Sequence, residues 1–336
     1  MATDGDAADC LLAVIDIGTV TARLALSRVH KGRVVALTKQ STIVNLGAGV
    51  DKTGRLDSAA INRVSECIAA YVATAQEAGA EWAVCTLTSA ARDAENSDEL
   101  LYRLQALGLL PQVIPGEVEG QLTFLGVAQD FFAHKLLVAD NGGGSTELAW
   151  GMLSAAGLDM GLVRSTNVGC RRLTDRYFSQ QKRVCVEDLR AAHEFAAEQF
   201  APVIAEAHSL HLQAEKLLAC GGTATSLVAM TLELEPYDSA RVHLSELDYQ
   251  QVCALEEKLA GLTVEERAKL PGLQAKRAPV ILAGSVAISE LMKQTGCETL
   301  TVSESDLLVG MSLTLDAAIR KETTVVGWRP NFTHFD

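Results

Sequence analysis

Two short motifs, each placed directly after an apolar run, constrain the fold of this chain more than any other feature. The first, Asp16-Ile-Gly-Thr19, follows 11–15, and the second, Asp140-Asn-Gly-Gly-Gly-Ser145, follows 136–139. The two aspartates are 124 residues apart, and a further apolar run follows each motif. This order predicts strand, tight turn and strand twice over. We therefore predict an internal duplication, with two similar α/β domains that face each other across a cleft.

The pattern between and after the motifs favours the same fold class. Residues 59–78 have the spacing of an amphipathic helix, 82–87 read as a short buried strand, and 276–293 read as a helix. We place the first domain at residues 1–132 and the second at 133–306. A last helix at 307–320 is predicted to pack back on the first domain, and 321–336 form a tail that we leave unassigned.

Composition excludes several classes of function. The 336 residues suit about two domains. The net charge of −13 disfavours binding to nucleic acid or to an anionic membrane. The longest mostly apolar stretch, 278–288, is too short to span a bilayer, and the acidic N-terminus lacks a signal-peptide pattern. Eight scattered cysteines without a C-x-x-C pair are typical of reduced thiols, so we expect a cytoplasmic protein.

The clearest signal for a ligand site is the run of three glycines and a serine at 142–145. Glycines let the backbone approach a ligand closely and turn N–H groups toward an anion. Asp140 and Glu147 flank the run, and a carboxylate beside a phosphate-binding loop commonly holds Mg²⁺. The alternative is a tight hairpin with solvated acids. We predict a phosphate loop made of Gly142, Gly143, Gly144 and Ser145, with Asp140 and Glu147 at a metal.

Three other segments can supply the remaining groups of a phosphate site. The motif at Asp16 becomes the opposite wall of that site if the duplication holds, and Arg23 follows it on the next strand. Arg92 lies where a strand gives way to a helix, and its planar fork matches phosphate oxygens. Glu119 opens a helix and could deprotonate water. Each has a purely structural alternative: an exposed strand arginine, a capped helix start, and an acid favoured by the helix dipole.

One basic cluster stands out in the acidic chain. Arg171, Arg172 and Arg176 lie close together in sequence, and a polyanionic substrate would need such a track because the overall charge opposes its approach. A solvated helix face is the ordinary explanation. We keep the cluster as a candidate track for such a substrate.

Taken in order, these motifs resemble those of the exopolyphosphatase / guanosine pentaphosphate phosphohydrolase (Ppx/GppA) family of the actin-like superfold. The resemblance covers roughly residues 11–315 and looks like the short, two-domain form. The matching stretches are Val14–Thr19 with Arg23, Thr88–Asn96, Pro115–Glu119, Asp140–Glu147, Val168–Thr174, Gly221–Thr223, Arg277 with Val280–Gly284, and Val302–Glu304.

The resemblance implies duplicated actin-like (ribonuclease H-like) domains and hydrolysis of a terminal phosphoanhydride, in polyphosphate or guanosine pentaphosphate. It further implies a homodimer and Mg²⁺ or Mn²⁺ as cofactor, and it makes the basic cluster a candidate polyphosphate track. By position it makes Glu119 the base, Arg23 and Arg92 ligands of the terminal phosphate, and Asp16 an additional metal ligand. The phosphate-binding residues that it adds are Gly18, Thr19, Thr21 and Asn96.

Two departures from the family pattern bear on the choice of function. Val20 stands where the family usually has a polar residue, and Leu308-Val309 stand where many members have Arg-Glu. An exopolyphosphatase is the first hypothesis, and guanosine pentaphosphate hydrolysis is the second. A kinase or ATPase of the superfold, suggested by Gly221-Gly-Thr223, is the third, and a non-catalytic sensor, suggested by Val20, is the fourth.

Overall fold

The computed structural model describes residues 10–178 and 183–335, which form two mixed six-stranded sheets surrounded by helices. The strands are β1 (Leu12–Ile17), β2 (Thr21–His30), β3 (Arg33–Ile43), β4 (Trp82–Leu87), β5 (Gln112–Val113), β6 (Leu136–Asn141), β7 (Thr146–Ser154), β8 (Gly157–Thr166), β9 (Lys216–Cys220), β10 (Glu246–Asp248), β11 (Thr299–Val302) and β12 (Phe332–His334). The helices are α1 (Val50–Thr53), α2 (Ser58–Glu77), α3 (Ser89–Asp93), α4 (Ser97–Gln105), α5 (Gly116–Ala128), α6 (Cys170–Tyr177), α7 (Val186–Ser209), α8 (Gly222–Thr231), α9 (Ser239–Val242), α10 (Tyr249–Ala260), α11 (Val264–Arg267), α12 (Ile281–Thr295) and α13 (Leu307–Ile319).

The two sheets share a common core of four strands. In the first sheet the order is β4-β1-β2-β3, and in the second it is β9-β6-β7-β8. In both, the first pair is parallel and the next two pairs are antiparallel. The predicted duplication into two α/β domains is therefore confirmed.

The central strand β1 shows why these sheets form where the sequence is most apolar. Ala13, Ile15 and Ile17 enter one buried cluster, while Leu12 and Val14 enter another on the opposite face of the sheet. Strand β6 is divided between two clusters in the same way. A strand covered on both faces reads as a continuous apolar run because both sets of alternating side chains are buried.

Helices α5 and α13 connect the two domains. Helix α5 packs on β6, β7 and β8 of the second sheet, α13 packs on β1, β2 and β3 of the first, and the two helices pack against each other. Their backbones come very close at two glycines. A Cβ on Gly126 would lie 2.1 Å from the carbonyl oxygen of Asp306, and one on Gly310 would lie 1.8 Å from that of Leu122. The crossing therefore tolerates only glycine at these positions.

We expect Gly310→Ala to lower the free energy of unfolding by about 3 kcal/mol, because the added methyl group would force two buried helices apart. Urea denaturation followed by circular dichroism measures this loss. Gly261→Ala is the matched control, since a Cβ there would meet its nearest atom at 3.6 Å. Equal stability of the two variants would contradict the close crossing.

A polar cluster of two buried glutamates and a half-buried histidine joins three helices of the second domain. His193 of α7 contacts Glu256 of α10 through Nε2 at 2.7 Å and Glu290 of α12 through Nδ1 at 3.2 Å. Burial alone would lower the pKa of His193, but hydrogen bonds and charge from the two glutamates raise it overall. The protonated imidazole is therefore the form that the folded protein stabilises.

Because the pKa of His193 is raised in the folded state, its protonated imidazole stabilises the folded protein fully below the unfolded pKa of histidine. This stabilisation of the fold is lost as the pH rises through the folded pKa. We expect His193→Gln to cost about 1 kcal/mol more at pH ~6 than at pH ~9. Denaturant titration at both pH values measures the difference. The exposed His208 of the same helix provides the control, His208→Gln. A cost for His193→Gln that does not change with pH would refute this assignment.

The structure corrects the sequence-based prediction for residues 276–293. A 3₁₀ turn at Ala275–Arg277 precedes α12, and Pro279 lies between them. Proline lacks the N–H that a helix interior requires, which separates the two segments.

The segment left unassigned as a tail carries a strand. Phe332 to His334 pair antiparallel with β4, and the ring of Phe332 packs edge-on against Trp82 at 5.4 Å. Residues 1–9 and 336, which the expected domain and tail boundaries include, lie outside the described residues. Within the described ranges, every helix is too short or too polar to cross a membrane.

Candidate active site

Two equivalent hairpin turns form the centre of the candidate site. In the first, Gly18 N donates to the carbonyl oxygen of Thr21 at 2.9 Å, and in the second, Gly142 N donates to that of Ser145 at 3.0 Å. The strand register places Arg23 opposite Asp16 and Glu147 opposite Asp140. The duplication therefore gives each turn one aspartate and one further charged residue, at matched positions.

The two turns touch each other, and glycine makes this possible. A Cβ on Gly143 would lie 2.7 Å from the Cβ of Thr19, and one on Gly144 would lie 2.3 Å from Ser89 Oγ. Val20 is buried in the hydrophobic cluster of the second domain. Val20, which stands where the family usually has a polar residue, thus provides an apolar contact between the domains.

A pocket of about 80 Å³ lies between the turns. The arrangement brings together eleven of the residues that the sequence analysis selected: Asp16, Gly18, Thr19, Thr21, Arg23, Glu119, Asp140, Gly142, Gly143, Gly144 and Ser145.

Glu119 lines this pocket, whereas Arg92 and Glu147 lie outside its lining. Glu119 lies in the first turn of α5, and Arg92 lies at the end of α3. Arg92 Nη1 donates to Glu119 Oε2 at 2.6 Å and to the carbonyl oxygen of Ile114 at 2.9 Å. Arg92 Nη2 lies 3.6 Å from Glu147 Oε1. One guanidinium thus orients the candidate base and also faces the second acid.

Burial and mutual repulsion dominate the electrostatics of the acids. Desolvation, followed by the charge of Glu147, raises the pKa of Glu119 well above its usual value despite Arg92. Desolvation and Asp140 raise the pKa of Glu147 to about 7. Desolvation also raises the pKa of Asp16 and of Asp140. The surrounding residues do not fully compensate the negative charge of these carboxylates, so binding of a cation among them is favoured.

The donor set fits a divalent cation such as Mg²⁺. Asp16 Oδ1 and Glu147 Oε2 are buried without a hydrogen-bond partner, and Asp140 Oδ2 accepts a hydrogen bond from Thr123 at 2.9 Å. Among the described residues, no group of three or more His, Cys, Asp and Glu side chains is arranged to hold a metal. Mg²⁺ is commonly bound by one or two carboxylates together with substrate phosphates and water, which is the arrangement that these acids allow.

Arg23 is held between two carboxylates. Its Nε and Nη2 donate to Asp16 Oδ2 at 3.0 and 2.7 Å, and its Nη1 donates to Asp306 Oδ2 at 2.8 Å. Asp306 caps α13 and also accepts from Lys39 Nζ at 3.1 Å. Arg23 therefore lines the pocket within an ion-pair cluster that the sequence analysis did not foresee.

The structure does not bring every candidate residue into the pocket. Asn96 forms two hydrogen bonds with the backbone of Leu56, at 2.7 and 3.1 Å, and lies outside the pocket lining. Its side chain thus fixes a loop in the first domain.

The candidate polyphosphate track is also corrected by the structure, because its arginines are engaged in ion pairs. Arg172 and Arg176 pair with Asp51 at 2.5 Å, and Arg171 pairs with Asp175 at 3.0 Å. The pairs with Asp51 join α6 of the second domain to α1 of the first. The cluster therefore closes one side of the cleft and does not present an open basic surface.

Sequence reasoning missed three side chains at or beside the pocket. Thr123 lies one turn after Glu119 on α5, a spacing that could have revealed it. Lys39 and Asp306 carry no motif of their own and reach the site only through folding. Arg277, which precedes a stretch that matches the family pattern, has no role assigned by the resemblance, and the structure places it in the pocket lining.

A larger cavity of about 890 Å³ adjoins the pocket. Arg23, Arg277, Gly221 and Gly222 line both spaces, so they mark the passage between them. The remaining walls mix apolar side chains such as Leu273 with polar ones. A cavity of this volume and lining is suited to a small organic group.

Duplicated α/β domains, paired glycine turns and a carboxylate–arginine centre define a phosphoryl-transfer enzyme. The model of the Ppx/GppA phosphatase family matches residues 25–315, and the chain belongs to this family. It is accordingly a hydrolase of phosphoanhydride bonds, as expected from the sequence.

Relatives and solved structures agree with this placement. Exopolyphosphatase 2 of Mycobacterium tuberculosis is 31% identical over 321 residues, which cover 90% of this chain and 98% of that protein. A guanosine-5'-triphosphate,3'-diphosphate pyrophosphatase of Photobacterium profundum is 29% identical and covers 90% of this chain and 58% of its own length. The crystal structure of the Aquifex aeolicus family member superposes with a TM-score of 0.75, at 28% identity, covering 93% of this chain and 98% of that one. The predicted α/β class with duplicated domains is confirmed.

Proposed function

We propose that this chain is an exopolyphosphatase that hydrolyses the terminal phosphoanhydride of inorganic polyphosphate and releases orthophosphate. The observation that carries the proposal is the position of Glu119: the carboxylate reaches the pocket between the two glycine turns, and Arg92 orients it at 2.6 Å. The similarity of the whole chain to exopolyphosphatase 2 supports polyphosphate as the substrate.

In the proposed reaction, Glu119 accepts a proton from water while the water oxygen attacks the terminal phosphorus. The bond between that phosphorus and the bridging oxygen breaks, and the shortened chain leaves with the electron pair. The raised pKa of Glu119 suits a group that must take up a proton. Backbone N–H groups of the two turns, together with Arg92 and Arg23, stabilise charge on the phosphoryl oxygens.

One or two of the acids Asp16, Asp140 and Glu147, together with substrate phosphate and water, would hold the Mg²⁺ or Mn²⁺ ion of this reaction. When bound, such an ion neutralises charge on the phosphate oxygens. The unpartnered atoms Asp16 Oδ1 and Glu147 Oε2 support this assignment. We further infer a cytoplasmic homodimer, for which light scattering of the purified protein tests the oligomeric state.

A phosphate-release assay tests the proposed function. The purified protein is given polyphosphates of several lengths, with Mg²⁺, with Mn²⁺, and with EDTA. Release from the chain end that stops with EDTA and returns with either ion is the expected result. Tight polyphosphate binding without release would instead indicate a sensor, and ATP-dependent labelling of an acceptor would indicate a kinase.

Guanosine pentaphosphate hydrolysis is the second candidate, because the cavity of about 890 Å³ beside the pocket is large enough for a nucleoside. The ratio of kcat/KM for the two substrates decides between them. A higher value for polyphosphate supports the first proposal, and a higher value for guanosine pentaphosphate replaces it with the second.

A further inference from the structure

The wall of the larger cavity carries a balanced set of charges. Among the described lining residues, the cations Arg23, Lys39 and Arg277 face the acids Glu235, Glu304 and Asp306. A substrate that leaves the small pocket through this cavity therefore meets no net positive field. This balance is unexpected for an enzyme that must attract a polyanion.

Asp306 pairs with two of the cations on this wall. Its Oδ2 accepts from Arg23 Nη1 at 2.8 Å and its Oδ1 accepts from Lys39 Nζ at 3.1 Å. The carboxylate is only 11% exposed, so water screens these pairs weakly. Two of the three cations on the cavity wall are thus engaged by one acid.

The fold fixes Asp306 in this position. It is the N-cap of α13, where its Oδ1 also accepts from the backbone N–H of Leu308 at 3.0 Å. The carbonyl oxygen of Asp306 lies against Gly126 of α5, at the close crossing of the two helices. The acid therefore cannot move away from Arg23 and Lys39 without disturbing the domain interface.

Arg277 is the cation that remains available. Its guanidinium makes no hydrogen bond or ion pair with any described residue, and it lies over Gly222 in the passage between the two spaces. A phosphate chain entering the pocket would accordingly meet one unpaired cation in the passage.

We propose that Asp306 is a specificity-determining residue that disfavours long polyphosphate chains by pairing with Lys39 and with Nη1 of Arg23 on the cavity wall. This inference rests on the proposed function, since it concerns the substrate of that same site. Each further phosphate of a long chain adds negative charge that the wall does not attract, whereas a short oligophosphate depends mainly on the turns and Arg277. The enzyme then favours short substrates.

The test is the ratio of Kd for tripolyphosphate to Kd for a chain of several hundred phosphates. It is measured by titration calorimetry in a Glu119→Gln background, in which turnover is expected to stop. Asp306→Asn keeps the shape of the side chain but removes the charge that pairs with Lys39 and with Nη1 of Arg23. The other nitrogens of Arg23 stay bonded to Asp16. We expect the ratio to shift about fivefold toward the long chain, with a steeper dependence on salt concentration.

Two variants make the result specific. Lys39→Gln removes a cation from the same wall and should shift the ratio against the long chain by about twofold or more, which keeps the proposal testable if Asp306→Asn does not fold. Asp316→Asn makes the same change on α13, where the acid pairs with Arg320, and should leave the ratio unchanged.

An unchanged ratio in both wall variants would overturn the proposal, as would an equal shift in Asp316→Asn. Because Kd reports binding and not turnover, the measurement separates the proposed role of Asp306 from the proposed exopolyphosphatase activity. A protein that binds both phosphates but hydrolyses neither would refute the exopolyphosphatase assignment and leave the role of Asp306 to be decided by the ratio.

Discussion

Glu119→Gln is expected to lower kcat for phosphate release by about a thousandfold, the range attributed to a positioned general base. The amide keeps the size of the carboxylate and can still accept the hydrogen bond that Arg92 donates. It cannot take a proton from water at neutral pH. Release of orthophosphate from polyphosphate, measured at saturating substrate, reports the loss.

The matched control for this variant is Glu117→Gln, on the same helical turn. Glu117 is exposed, whereas Glu119 is buried at the pocket. The control should keep full activity, and both variants should show the circular dichroism of the unchanged protein. Full activity of Glu119→Gln would show that another group activates the water.

Gly144→Ala should lower kcat/KM by about a hundredfold, because a displacement of about an ångström in a catalytic loop has an effect of that size. The new methyl group would lie 2.3 Å from Ser89 Oγ and 3.0 Å from Thr19 Oγ1. The two turns would be pushed apart, and their N–H groups would no longer converge on one phosphate. Steady-state kinetics with polyphosphate measure the change.

A second substitution tests whether the clash causes this loss. Ser89→Gly removes the side chain that the added methyl group would strike, so the double variant should regain much of the activity lost in Gly144→Ala. If the double variant stays as inactive as the single one, the contact with Ser89 is not the cause of the loss.

Much of the fold could be predicted because its signals are local. The apolar runs before Asp16 and Asp140 read as buried strands, and the matched turns after them indicated the duplication. Helix α2 and strand β4 lie within about one residue of their predicted bounds, since burial periodicity and a capping residue act over short distances. The strand near the C-terminus was missed because it exists only by pairing with β4.

The candidate site was predictable to the extent that its residues belong to motifs. Glu119 and the two turns converge, whereas Asn96 is held by Leu56 and does not reach the pocket. The basic cluster failed as an open track because Asp51, more than a hundred positions away in sequence, neutralises Arg172 and Arg176. Charge pairing between distant segments leaves no pattern in a single sequence.

The sequence by itself determined the duplicated strand–turn–strand units and the groups that each turn carries, because strand burial and turn geometry depend on neighbours within a few residues. Only the tertiary structure decided which charges remain available. Arg23 meets Asp306 across 283 positions of the chain, and the close crossing of α5 and α13 fixes that meeting. The physical reason is that electrostatic compensation depends on distance in space, which the packing of the two domains sets.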